Sequence, residues 1–142
     1  MTRWPAINRC KSRLANSIGP YKAALVQERL INHTFKVAKT LEERNLVEVF
    51  IAITGISDGS AQKWAKKIGI KNINTQGLGN LGLKMRRQVL KRQHRNKPRT
   101  TIIIGTDLPT LSQRDIIEAI ESLKNNQIVL GPSKDGGYWL IG

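Results

Sequence analysis

Apolar positions recur at helical spacing between residues 20 and 43. Val26, Leu30, Val37 and Leu41 form one stripe, broadened by Ala24, Ile31, Phe35 and Ala38. A stripe this wide over so many turns predicts a long amphipathic helix. The pattern then changes. "VEVFIAIT" (47–54) is continuously apolar and predicts a buried strand, and in the following "GISDGS" Ser57 or Asp58 can cap the next helix. "AQKWAKKIG" (61–69) predicts a short helix closed by Gly69. "KNINTQG" holds a short strand, and residues 80 to 95 predict a basic helix with Leu81, Met85 and Val89 facing inward. "TTIIIGTD" (100–107) is the clearest strand, with three isoleucines before Gly105 and Asp107 at its carboxyl end. "SQRDIIEAIESL" (112–123) predicts a helix with Ser112 as N-cap and Asp115 at N3, a capping box with Asp in place of Glu. "QIVLG" (127–131) and "GYWLIG" supply two further strands. Strands that alternate with helices and read as apolar runs imply an α/β fold, with a mostly parallel sheet covered on both faces. Ligands of such sheets bind beyond the carboxyl ends of the strands.

Composition narrows this picture. A chain of 142 residues suits a single domain, and 39% hydrophobic with 24% charged residues is ordinary for a globular one. No apolar run approaches the ~20 residues of a membrane span, and no signal-peptide core follows Met1, so a cytoplasmic location is expected. Cys10 is the single cysteine, which excludes an internal disulfide and a cysteine-built metal site. The net charge of +14 implies attraction to polyanions: phosphorylated metabolites, nucleic acid or an anionic membrane surface. Eight of the 24 basic residues lie in "KMRRQVLKRQHRNKPR" (84–99). The stretch reads as a solvated helix face with a basic loop in preference to a nucleic-acid site, since it contains no aromatic residue to stack on bases.

Three loops follow strand ends: Gln76 to Gly82, Gly105 to Leu111, and Gly131 to Gly137. Two of them present one carboxylate each, Asp107 and Asp135. Aspartates on neighbouring loops of a basic protein suit a hard divalent cation that bridges a diphosphate. Asp107 can equally begin a plain turn before Pro109. At the amino end, "RWPAINRCKSRLANSIG" packs Arg3, Arg9, Lys11 and Arg13 into eleven residues, either a phosphate cradle or a solvated basic tail. His33 and His94 lie in the long helix and the basic run, where structural or solvent-facing roles are expected. There is no "GxSxG" elbow and no zinc-ligand spacing.

Four segments, "RWPAINRCKSRLANSIG", "QGLGNLGLKM", "IIIGTDLPTL" and "VLGPSKDGGYWLIG", occur in an order that resembles a known family. It is the radical-SAM-associated transferase family of the nucleotide-diphospho-sugar transferase superfamily, whose members have the GT-A fold. The resemblance implies a three-layer α/β/α sandwich with a Rossmann-like sheet. Arg3, Pro5, Lys11, Arg13 and Leu14 match its R-x-P-x-x-G-x-x-K-T-R-L segment, with Ser12 for threonine and Asn8 for the glycine. Lys11 and Arg13 would hold nucleotide phosphates. Gln76, Gly77, Gly79, Leu81 and Gly82 match Q-G-x-G-D-L-G, with Asn80 for the aspartate. Asp107 matches the expected Mg²⁺ or Mn²⁺ ligand, and Asp135 to Tyr138 match a segment that places a second carboxylate near metal or acceptor.

The resemblance implies a metal-dependent transferase that uses a nucleotide-activated donor and a small-molecule acceptor, in the first place a glycosyltransferase. Asp107 and Asp135 would be its catalytic and metal-binding residues. Arg3, Lys11, Arg13, Gln76, Gly77, Gly79 and Gly82 would bind nucleotide or phosphate. The alternatives are a nucleotidylyltransferase that joins an NTP to a phosphorylated acceptor, and a non-catalytic basic module binding phosphate or nucleic acid. By the family pattern, residues 1–142 form a single, incomplete domain that lacks the strand preceding the R-x-P segment and a C-terminal portion.

Overall fold

The computed structural model describes residues 1–93 and 99–142. Eleven elements follow one another: β1 (Thr2–Arg3), α1 (Ser12–Ile18), α2 (Pro20–Glu43), β2 (Phe50–Thr54), α3 (Asp58–Lys67), β3 (Asn72–Thr75), α4 (Leu81–Arg92), β4 (Ile103–Ile104), α5 (Gln113–Ser122), β5 (Leu130–Pro132) and β6 (Tyr138–Ile141). His94, Arg95 and Lys97 of the basic run lie outside the described residues.

Local chemistry accounts for the helix ends. Pro20 opens α2 at a position where no intrahelical N–H is lost. The Ser57 hydroxyl accepts from Ser60 N–H at the start of α3, and Gly69 takes φ 72° just beyond its end. α5 carries the complete capping box, Ser112 accepting from Asp115 N–H and Asp115 from Ser112 N–H. Ser112 also donates its hydroxyl to the same carboxylate at 2.6 Å. Those hydrogen bonds hold the Asp115 carboxyl below its ordinary range.

The strands form two three-stranded sheets. In one, β1-β2-β3 are parallel, with Thr2 opposite Ile53 and Ile51 opposite Ile73. In the other, ordered β4-β6-β5, β6 runs antiparallel to both neighbours. The sheets meet at β1 and β4, where the Met1 amine donates to Ile104 O and the Thr2 and Thr106 hydroxyls bond at 3.1 Å. Residue numbers rise together along this seam, so β1 and β4 run the same way and β6 alone is reversed. The expected strand over 100–107 is regular only at Ile103–Ile104. On one side it meets the amino terminus through the Met1 and Thr2 hydrogen bonds, and on the other β6 matches it over two residues. β1 covers Thr2 and Arg3, the first residue of the R-x-P segment. An apolar cavity of about 160 Å³ lies beside this seam, bordered by Met1, Phe35, Ile51 and Ile104.

Period-two alternation along β2 sends Ile51 and Ile53 to one face, where they pack with Ala61 and Ala65 of α3 and with Ile73. Trp4, Phe35 and Trp64 close this core, Trp4 meeting Trp64 edge-on with ring centroids 5.3 Å apart. A second core joins Leu41 of α2 to Leu111 and to Ile116 of α5. On the opposite face Arg92 of α4 stacks over Phe50, 3.5 Å from the ring centroid, and donates to Asn74 Oδ1. The helices thus cover both faces of the sheet, giving three layers. The inward line of α2 includes Gln27 and Thr34 along with Ala24, Ile31 and Leu41. The expected inward stripe of α4 is not buried as predicted: Leu81 is 62% exposed, and Gln88, bonded to Asn74, is the buried residue. Among the described residues, no helix is long and apolar enough to cross a membrane.

Candidate active site

The carboxyl ends of the strands open into a cleft of about 1110 Å³. Arg3 and Lys11 line it from the amino-terminal segment, Gln76 from the end of β3, Asp107 from the loop after β4, and Asp135 from the β5–β6 hairpin. Five candidate residues separated by up to 132 positions therefore share one cavity. Arg13, on the exposed side of α1, and Gly77, Gly79 and Gly82 do not line it.

The amino-terminal segment winds as two left-handed kinks. Asn8 has φ 62° and Lys11 φ 46°, so Asn8 supplies the backbone shape expected of the glycine it replaces. Lys11 is less at ease there, since a long side chain rarely occupies that region. Arg3 Nη1 donates to Arg9 O at 3.1 Å and closes the loop on itself. Lys11 Nζ reaches Asp107 Oδ1 at 3.0 Å; its side chain is 16% exposed, against 74% for the aspartate. The ammonium is thus anchored while the carboxylate faces open cleft.

Gln76 has a role that its motif did not reveal. It is buried, and its Nε2 donates to Thr2 O at 2.9 Å and Ala52 O at 3.0 Å, tying β1 to β2 at the floor of the cleft. Gly77 and Gly79 turn the chain just beyond with φ 72° and 110°. The turn is held by Arg87, which donates to the carbonyls of Gln76 and Leu78. Asn80, which departs from the family's aspartate, accepts from Leu83 N–H at 2.9 Å and is the N-cap of α4. Asparagine and aspartate cap equally well, so the departure preserves the helix start and removes a charge. Arg87 was hidden in the sequence, because a contact back to a loop carbonyl has no periodicity to betray it. His33 likewise meets Leu111 O at 2.9 Å, tying α2 to the Asp107 loop.

Asp135 Oδ1 accepts from Gly137 N–H at 3.2 Å, which fixes the carboxylate within its own turn. Oδ2 of Asp135 and Oδ2 of Asp107 have no hydrogen-bond partner among the described residues. Asp107 and Asp135 are the residues that would hold a Mg²⁺ or Mn²⁺, each offering a hard carboxylate oxygen to the same cleft. Among the described residues no three His, Cys, Asp or Glu side chains gather into a fuller site.

A family model described as "Uncharacterized protein conserved in bacteria (DUF2064)" matches residues 37–142. The chain belongs to the DUF2064 family. The matched part of this DUF2064 protein contains Gln76, Asp107 and Asp135, while Arg3 and Lys11 precede it. No curated protein sequence matches the chain. Among solved structures, that of a candidate nucleotide-diphospho-sugar transferase from Desulfovibrio desulfuricans G20 superposes with a TM-score of 0.86 at 21% identity. The alignment covers 99% of this chain and 59% of that protein, so the DUF2064 chain spans about three fifths of its length. At that identity the likeness shows the fold, an α/β fold of the nucleotide-diphospho-sugar transferase type.

Proposed function

We propose that this chain forms the donor-binding part of a transferase that uses a nucleotide-diphospho-sugar, with glycosyl transfer as its reaction. The observation that carries the reading is the convergence of Arg3, Lys11, Asp107 and Asp135 on one cleft beyond the strand ends. Lys11 and Arg3 would face the donor diphosphate, with Lys11 already held by Asp107 in the geometry the phosphate oxygens would share. Asp107 and Asp135 would hold Mg²⁺ or Mn²⁺, which supplies Lewis-acid stabilisation of the departing diphosphate. In the transfer, an acceptor hydroxyl oxygen bonds to the anomeric carbon as the bond from that carbon to the diphosphate oxygen breaks. The nucleoside diphosphate leaves with the electron pair, and the hydroxyl proton passes to a base, a role Asp135 would fill on the acceptor side. Fixed cations at the leaving group act where negative charge grows, which lowers the barrier more than it tightens ground-state binding.

The test is a donor screen of sugar nucleotides against NTPs, with and without Mg²⁺ or Mn²⁺. Consumption of a sugar nucleotide supports the reading, whereas consumption of an NTP with pyrophosphate release identifies nucleotidylyl transfer instead. Asp107→Asn should lower metal-dependent turnover by about 10²-fold or more. Full metal-dependent turnover by that variant would sink the assignment.

A further inference from the structure

The charges lining the cleft are not balanced by the donor-side residues alone. Four cationic side chains, Arg3, Lys11, Lys84 and Lys134, face two carboxylates, Asp107 and Asp135. Lys11 is paired with Asp107, and Arg3 is tied to Arg9 O. Lys84 and Lys134 make no ion pair and no side-chain hydrogen bond among the described residues. The two lysines also belong to elements that touch. Lys84 stands in the first turn of α4, and Lys134 in the turn of the β5–β6 hairpin, closed by Ser133 N–H to Gly137 O at 2.9 Å. The hairpin contacts α4 through Tyr138 Oη, which donates to the Sδ of Met85, the residue after Lys84, at 3.8 Å. Lys134 is also the immediate neighbour of Asp135.

On the transferase reading given above, we propose that Lys84 and Lys134 form an anion subsite for the second substrate, so that the acceptor is a small molecule bearing a phosphate monoester. An ammonium is a compact, strongly hydrated point charge that gains most from a concentrated negative partner. A cleft lined by charges of one sign draws such a partner in. Two unmatched ammoniums suit a phosphate dianion; a monocarboxylate would leave one of them uncompensated. The placement suits an acceptor, since the anchoring charges flank Asp135 on the wall formed by α4 and the hairpin. The diphosphate-facing pair, Lys11 and Asp107, comes from other loops. A phosphate held on that wall would orient a neighbouring hydroxyl toward the donor and reject neutral acceptors through the charges left unpaired.

The experiment measures binding, not turnover. Inorganic phosphate is titrated into the full chain by calorimetry, alone and with each of ADP, GDP, CDP and UDP at saturation with Mg²⁺, and acetate serves as the monoanion control. The expected result is a phosphate site that persists when nucleotide is bound and prefers phosphate to acetate. It should weaken about tenfold or more in the Lys84→Gln/Lys134→Gln variant, with nucleotide affinity changed less than about twofold. Neither side chain supports the fold through a hydrogen bond, and a urea midpoint equal to that of the parent confirms that the variant folds. Each single variant should show a partial loss. The proposal is overturned by absent phosphate binding, or by binding that the double variant leaves as strong as a Lys91→Gln surface control does. A failure of the transferase reading shows differently: no nucleoside diphosphate binds, while phosphate still titrates at the two lysines.

Discussion

Burial at the seam between the two sheets lowers the pKa of the Met1 amino group from 8.0 to about 6. It donates to Ile104 O at the seam between the two sheets, so it cannot leave without parting β1 from β4. The consequence is a pH dependence of stability with a definite sign. Between about pH 6 and 8 the unfolded chain carries a proton on this amine and the folded chain does not. Stability therefore rises with pH across that window, by at most about 1.4 kcal/mol per pH unit for one proton. A shift of two units amounts to about 3 kcal/mol, fully present above pH 8 and lost below pH 6. Urea unfolding of the 142-residue chain followed by tryptophan fluorescence from pH 5.5 to 8.5 measures this, and an N-acetylated chain subtracts every other titrating group. The difference between the two chains should trace one proton with a midpoint near 6 on the folded side. A difference that stays flat between pH 6 and 8, or an amine titrating near 8 by NMR in the folded chain, would refute the reasoning.

Other outcomes follow from single contacts. A Cβ at Gly131 would lie 2.6 Å from Cε2 of Trp139, so Gly131→Ala must displace the indole. It should cost about 1–3 kcal/mol in urea unfolding and alter the near-UV circular dichroism; an unchanged midpoint would show that the ring yields freely. Gln76→Ala strands the carbonyls of Thr2 and Ala52, for an expected loss of about 2–4 kcal/mol, and a loss below ~1 kcal/mol would mean that water replaces the amide. Ser112→Ala removes the hydroxyl's bonds to Asp115 N–H and to its carboxylate, leaves the backbone arm of the capping box, and should cost about 1 kcal/mol at neutral pH. Because the Asp115 carboxyl is held below its ordinary range, its contribution is present above the unfolded carboxylate pKa and disappears as pH falls through the folded one. The variant's deficit should therefore shrink in acid.

What could be read from the sequence was local. Ser112 with Asp115, Ser57 before its helix and Gly69 after it each act within four residues, and the bounds of α2 follow from Pro20 and the apolar period. The polar members of α2 could not be foreseen in the same way. Gln27 is buried because its amide meets Thr2 Oγ1 and Arg3 O, partners on another element 24 or more positions away. The basic run shows the same limit. Its charge suggested a solvated face, yet Arg87 holds the Gln76 loop and Arg92 lies across Phe50, with burial lowering its pKa. Arg99 pairs with Glu48 at 3.0 Å. For the cleft, residue types and loop positions identified five of its lining residues. The motif match extended to Arg13, Gly77, Gly79 and Gly82, which the fold keeps out of the lining, and two of those glycines serve the turn that Arg87 braces. Strand direction was the other unread quantity, because the reversal of β6 depends on the tight hairpin turn at Ser133–Gly137 and leaves the apolar pattern unchanged.

The placement of the three tryptophans has an optical consequence. Trp4 and Trp64 stand edge to face, partly buried against the core beside β2, and neither lines the cleft. Trp139 sits on the wall of the cleft, in a strand whose first residue, Tyr138, also lines it. Emission from the chain therefore divides into a pair that reports whether the core is intact and a single indole that reports whether the cleft is filled. Quenching by nucleotide or phosphate would arise at Trp139 while the pair outside the cleft holds constant, giving every titration its own internal reference without a dye.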